Sequence, residues 1–200
     1  MTDTPARERD FSVPPAADPA AVINAVCLFC GSSPGRDPAY VEAAREFGVA
    51  LAREGLTLVY GGGGVGLMGA AAEAAHTAGG KVVGVMPDFL RSRERLFDEV
   101  ETIVVDTMHE RKAIMYDRSD AFVVAPGGVG TLEEVVELLS WKRLSLHAKP
   151  IIFLNIDGFW DCFYALMRHS VEVGMTPPWF LDTWQDATSV DEAMRLLKAR

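Results

Sequence analysis

Apolar residues in this chain gather into short continuous runs separated by longer stretches of helical period. From residue 25 onward the runs are AVCLF at Ala25–Phe29, TLVY at Thr57–Tyr60, KVVGVM at 81–86, TIVV at 102–105, AFVVA at 121–125 and IIFL at Ile151–Leu154. Near-continuous, β-branched runs of this length predict strands buried on both faces. The stretches between them carry apolar residues at helical spacing and predict helices at 38–54, 65–78, 110–118, 131–144 and 160–173. A last short strand at 183–187 precedes a helix at Val190–Lys198, where Ser189 and Glu192 have the spacing of a capping box. Strands alternating with helices predict an α/β fold, a single doubly wound parallel sheet of Rossmann-like type with helices on both faces. Residues 1–22 are rich in Pro, Ala and charge without apolar period. They predict a disordered or loosely ordered tail ahead of one domain at 23–200.

Three of the predicted strand-to-helix junctions are rich in small residues: CGSSPG at 30–35, GGGGVGLMG at 61–69 and PGGVGT at 126–131. In a parallel sheet all three emerge at one edge. Glycine lets backbone amides approach a ligand, and the free N–H groups at a helix start favour an anion. Gly64, Gly66 and Gly69 also fit G-x-G-x-x-G, which raises a dinucleotide site as an alternative. Against it, a complete βα unit precedes this loop, and the nearest acid, Asp88, falls two residues beyond its strand.

The segment PGGVGTLEE at 126–134 has two readings. In the plain one, Thr131 caps a helix and Glu134 is its capping-box partner. In the other, Glu134 sits one turn into a helix whose start holds a phosphate, close enough to meet the sugar of a bound nucleotide. Glu133 and Glu137 are alternatives on the same helix. Arg111 and Lys112 lie in MHERKA at 108–113, at the start of another helix, beside His109. The four His show no metal spacing, and no Ser–His–Asp order is evident.

Net charge is −9, which argues against a broad nucleic-acid or membrane surface but leaves room for one small anion held locally. No run is long enough to span a bilayer, and no signal-type apolar segment opens the chain, so a cytoplasmic protein is expected. Cys27 and Cys30 form a C-x-x-C within an apolar strand. Their side chains point to opposite faces there, and a structural role is expected for both.

In this order, GGGGVGLMG, MHERKA and PGGVGTLEE resemble the LOG family, the cytokinin riboside 5′-monophosphate phosphoribohydrolases, also labelled lysine decarboxylase-like. FCGSSPG at 29–35 and LNIDGF at 154–159 fit the same family, and the resemblance covers about residues 26–174. It implies hydrolysis of the N-glycosidic bond of an N6-substituted adenosine monophosphate to free base and ribose 5-phosphate, with no cofactor or metal. It carries the catalytic pair onto Arg111 and Glu134. Substrate contacts fall on Glu94, Lys112 and Ser140, on the loop Gly127, Gly128, Val129, Gly130, Thr131, Leu132 and Glu133, and on Gly31, Ser32 and Gly63. It also implies a homodimer with sites near the interface, to which an apolar helix at 135–144 is suited. The chain departs from the family at Gly64, where Ser is common, and at SWKR (140–143), where TWAQ is frequent. The ending MTPPWFLDTW (175–184) is also unusual. These departures leave open which N6 substituent is preferred, or whether plain AMP is cleaved. Relatives that bind a nucleotide without cleaving it share the motifs.

Overall fold

The computed structural model describes residues 22–92 and 95–199. Every apolar run becomes a strand: β1 (Ala25–Phe29), β2 (Thr57–Tyr60), β3 (Val82–Pro87), β4 (Glu101–Val105), β5 (Ala121–Val124) and β6 (Ile151–Leu154), with β7 (Gln185–Ala187) last. The helices are α1 (Pro38–Arg53), α2 (Gly66–Thr77), α3 (Met108–Asp117), α4 (Val129–Arg143), α5 (Asp161–Glu172) and α6 (Val190–Lys198). The strands form one sheet in the order β4-β3-β2-β1-β5-β6-β7, and each neighbouring pair is parallel.

Alternation along β1 shows why both faces need cover. Val26, Leu28 and Cys30 enter a core with Phe47 and Leu51 of α1, Ala71 of α2 and Leu197 of α6. Cys27 and Phe29 enter a second core with Met115 of α3, Leu138 of α4 and Phe163 of α5. The two cysteines therefore sit on opposite sides of the sheet, both buried and unbridged. The start of β1 is pinned to β5 by Asp120, whose Oδ2 accepts from the N–H groups of Asn24 at 2.8 Å and Ala25 at 3.0 Å.

The boundaries differ from the sequence expectation where capping decides them. Helix α3 starts two residues early because Thr107 and Glu110 close a capping box around its first turn. Helix α4 starts at Val129, with Gly128 as its N-cap, so the capping role expected of Thr131 and Glu134 does not hold. Thr131 is instead a buried residue of the first turn. Near the C-terminus, Thr183 ends a 3-10 helix (Pro178–Thr183), its hydroxyl donating to the Phe180 carbonyl at 2.7 Å, so β7 begins only at Gln185. Ser189 accepts from the Glu192 N–H at 3.3 Å, but the Glu192 carboxylate turns to the N–H and hydroxyl of Thr188. Apart from Val22, the tail expected at 1–22 lies outside the described residues. Among the described residues no helix is long and apolar enough to cross a membrane, and no group of three His, Cys, Asp or Glu is placed to hold a metal.

Beyond α4, His147 folds back under the sheet. Its ring packs against Tyr116 and Phe122, and its Nε2–H donates to the Leu138 carbonyl at 3.0 Å. Burial, together with Lys142 and Lys149, lowers its pKa to about 4, although the bond to Leu138 works the other way. The unfolded chain binds this proton below its ordinary value of about 6.5, while the folded chain does not until about pH 4. Stability from this group is therefore complete above about pH 6.5 and falls as the pH drops toward 4, by on the order of 2–3 kcal/mol. Melting curves between pH 4 and 8 test this. His147→Gln should flatten the acid side of the profile relative to the parent chain, and parallel profiles would contradict it.

Candidate active site

The segments following β1 and β5 leave the sheet on opposite faces, and between these strands the sheet edge opens. Gly31, just past β1, donates its N–H to the Pro126 carbonyl past β5 at 3.0 Å, which ties the two loops at their base. A cavity of about 340 Å³ lies above this tie. Cys30, Gly31 and Ser32 form one wall, Gly128 to Thr131 with Glu133 and Glu134 another, and Met68, Leu90, Met108 and Arg111 complete it.

Arg111 is only 5% exposed. Its Nη2 donates to the Gly61 carbonyl at 2.8 Å, its Nη1 lies 3.9 Å from the Met108 sulfur, and its Nε is buried without a partner. A guanidinium offers five N–H donors, and a buried cation that leaves them unspent is costly. Facing a cavity, it is suited to an anionic or oxygen-rich ligand. Helix α4 adds to this: its N-cap Gly128 makes no side-chain cap, so the first N–H groups of the helix are left for a ligand.

Glu134 is half-buried one turn farther along α4 and lines the same cavity as Arg111. Cys30 lies near it. Burial pushes the Cys30 thiol well above its usual range, and the Glu134 charge pushes it the same way. Cys30 is therefore a neutral part of the floor rather than a nucleophile.

The expected contacts divide into groups. Gly31, Ser32, Gly128, Val129, Gly130, Thr131 and Glu133 line the cavity with the catalytic pair. Gly127 lines an adjoining apolar cavity of about 250 Å³ closed by Tyr40 and Phe159, which shares Gly31, Ser32 and Gly128 with the first. Lys112 spans α3 and α4 instead, its ammonium 2.5 Å from Glu133 and 2.8 Å from Glu137. Burial disfavours its charge, but these two carboxylates outweigh burial and raise its pKa. Gly63 is buried and bridged to Leu96, and Leu132 and Ser140 are exposed on α4, outside both cavities. Glu94 lies outside the described residues. Sequence reasoning did not find Met68, Leu90 or Met108 as lining residues. Met68 and Met108 stand inside motifs already singled out, whereas nothing in the sequence marks Leu90.

The dinucleotide alternative loses its footing at Gly64. The close approach that this glycine permits is made by the chain itself: its N–H donates to the Arg95 carbonyl at 2.5 Å, and a Cβ there would stand 2.5 Å from that oxygen. Asp88, the candidate ribose acid, is paired with Arg91.

Comparison with known proteins follows the same lines. The family model with the description possible lysine decarboxylase matches residues 68–197. A protein of Oryza sativa subsp. japonica, named a probable cytokinin riboside 5′-monophosphate phosphoribohydrolase, is 51% identical over 154 residues, 76% of this chain and 68% of that protein. A cytokinin riboside 5′-monophosphate phosphoribohydrolase of Arabidopsis thaliana is 41% identical over 174 residues, 86% of this chain and 80% of that one. Among solved structures, the molybdenum cofactor binding protein of Rippkaea orientalis superposes with a TM-score of 0.65 at 25% identity, covering 88% of this chain and 95% of that one. On the family match, the extent of identity and the shared motifs, the chain belongs to the LOG family, the group that carries the lysine decarboxylase description.

Proposed function

We propose that this chain hydrolyses the N-glycosidic bond of an N6-substituted adenosine 5′-monophosphate, releasing the free base and ribose 5-phosphate. The observation that carries this reading is the buried Arg111 facing one cavity with Glu134 and the uncapped start of α4. The 5′-phosphate is held by the N–H groups of Val129, Gly130 and Thr131, with Ser32 opposite. That anchor fixes the ribose one helical turn away, beside Glu134. Breaking the glycosidic bond builds positive charge on the sugar. The Glu134 carboxylate stabilises that charge and orients the water, whose hydroxyl joins C1′ while its proton goes to the departing base. Arg111 orients Glu134, or meets the ligand directly. The named activities of the Oryza and Arabidopsis relatives support the same reaction and substrate class. A cytoplasmic site of action goes with this reading.

The fold shared with the Rippkaea orientalis protein supports a second reading, in which a nucleotide-like ligand is bound without cleavage. Incubation with AMP and with N6-isopentenyl-AMP, following release of base, separates the two. Base from the substituted nucleotide is expected. Base from AMP alone marks a nucleosidase without N6 preference, and base from neither marks a binding protein. Glu134→Gln should lower turnover by about a hundredfold or more while AMP still binds in calorimetry. Arg111→Ala should also lose turnover, and unchanged kinetics in either variant would remove that residue from the mechanism.

The working unit of this proposal is a homodimer. Val135, Leu138 and Leu139 of the helix expected to form the interface are buried in the core, whereas Val129, Leu132 and Val136 stand exposed along one side of α4. An apolar stripe at such spacing is suited to a second copy of the chain. Light scattering should give twice the chain mass, and Val136→Glu should shift the population toward monomer. A parent chain that scatters as a monomer would refute the dimer.

A further inference from the structure

We infer that Gly61 is the positioning residue for Arg111, and that its missing side chain is the seat of the guanidinium. The inference rests on the reading of Arg111 as part of the hydrolytic site. Arg111 belongs to α3, yet among the described residues its one strong hydrogen bond runs to the Gly61 carbonyl just past β2, 50 residues away in sequence. The contact from its own helix is a weak one, to the Met108 sulfur at 3.9 Å. A Cβ built at Gly61 would stand 2.0 Å from Arg111 Nη2, 3.0 Å from Cζ and 3.1 Å from the Met68 sulfur. The guanidinium thus occupies the volume that any other residue at 61 would fill. It is buried, so a methyl group there forces it off the Gly61 carbonyl and changes how it faces the cavity.

This assigns the second glycine loop a role distinct from ligand binding. Gly61 lines neither cavity next to the α4 N-terminus. It acts through Arg111, by fastening a side chain of α3 to the central sheet that also carries Cys30 and the loops on either side of the site.

A double-mutant cycle tests the assignment in the full chain, using Gly61→Ala, Arg111→Ala and the pair together. The readouts are kcat and KM for base release from N6-isopentenyl-AMP, AMP affinity by calorimetry, and the melting temperature. Gly61→Ala should reproduce the kcat and KM pattern of Arg111→Ala, reaching within about tenfold of its turnover. In the Arg111→Ala background, where the guanidinium is gone, Gly61→Ala should change neither turnover nor melting temperature. Should Gly61→Ala fail to fold alone, the double variant is expected to fold, because the clash has been removed.

Three results would overturn the inference. One is Gly61→Ala turnover within about threefold of the parent chain while Arg111→Ala is inactive. Another is losses that multiply in the double variant. The third is a double variant that does not fold, which would place the need for glycine in the loop backbone. Full turnover in Arg111→Ala would sink the catalytic reading of Arg111 instead, and the melting-temperature cycle would then still decide whether Gly61 is its seat.

Discussion

Two neighbouring parallel strands, β1 and β5, send the chain to opposite faces of the sheet, and the rest of the site follows from that divergence. Loops that leave in different directions cannot close over one another, so a crevice opens at their carboxyl ends. Helices that follow these strands bring their N-termini to its rim. Helix α4 contributes its uncapped N-terminus together with Glu134, and α3, packed on the same face of the sheet as α4, contributes Arg111. The tie between Gly31 and Pro126 joins the two loops at their base.

The charge of the whole molecule runs opposite to that of the site. In a chain with net charge −9, the proposed anion site offers a buried guanidinium and the partial charges of a helix start. Lys112, next to Arg111 in sequence, is taken up by Glu133 and Glu137. Lys112 therefore serves the packing of α3 against α4, which holds Arg111 and Glu134 at a constant spacing. The net negative charge works against long polyanions, so the proposed site suits one small anion.

Much of this was readable in the sequence because it rests on periodicity. Runs buried on both faces leave no ambiguity about a parallel sheet, and the opposite fates of Cys27 and Cys30 follow from strand alternation alone. Capping was less readable. Thr107, Thr131 and Ser189 look alike as helix starters, yet only Thr107 closes a reciprocal box with its acid. Thr131 lost that role because Gly128, with no side chain to contribute, begins the helix earlier. The least visible parts of the site were those made by distant segments. Leu90 lies in an unremarkable stretch of sequence, and the meeting of Gly61 with Arg111 depends on a contact that no local pattern encodes. The G-x-G-x-x-G spacing misled for a related reason: a glycine needed for close approach does not say whether a ligand or the chain's own backbone approaches, and at Gly64 it is the backbone.

The strand order also governs how the molecule comes into being. Strand β1 pairs with β2 on one side early in the sequence, but its partner on the other side, β5, is nearly a hundred residues downstream. During synthesis the first four strands can assemble while the outer edge of β1 stays unpaired, an arrangement open to wrong partners. Closing that edge requires a long-range, parallel pairing, which is intrinsically slow. Glu134 enters with the helix that directly follows β5. The step that seals the sheet is thus also the step that assembles the crevice, and a partly folded chain carries neither a finished edge nor a working site.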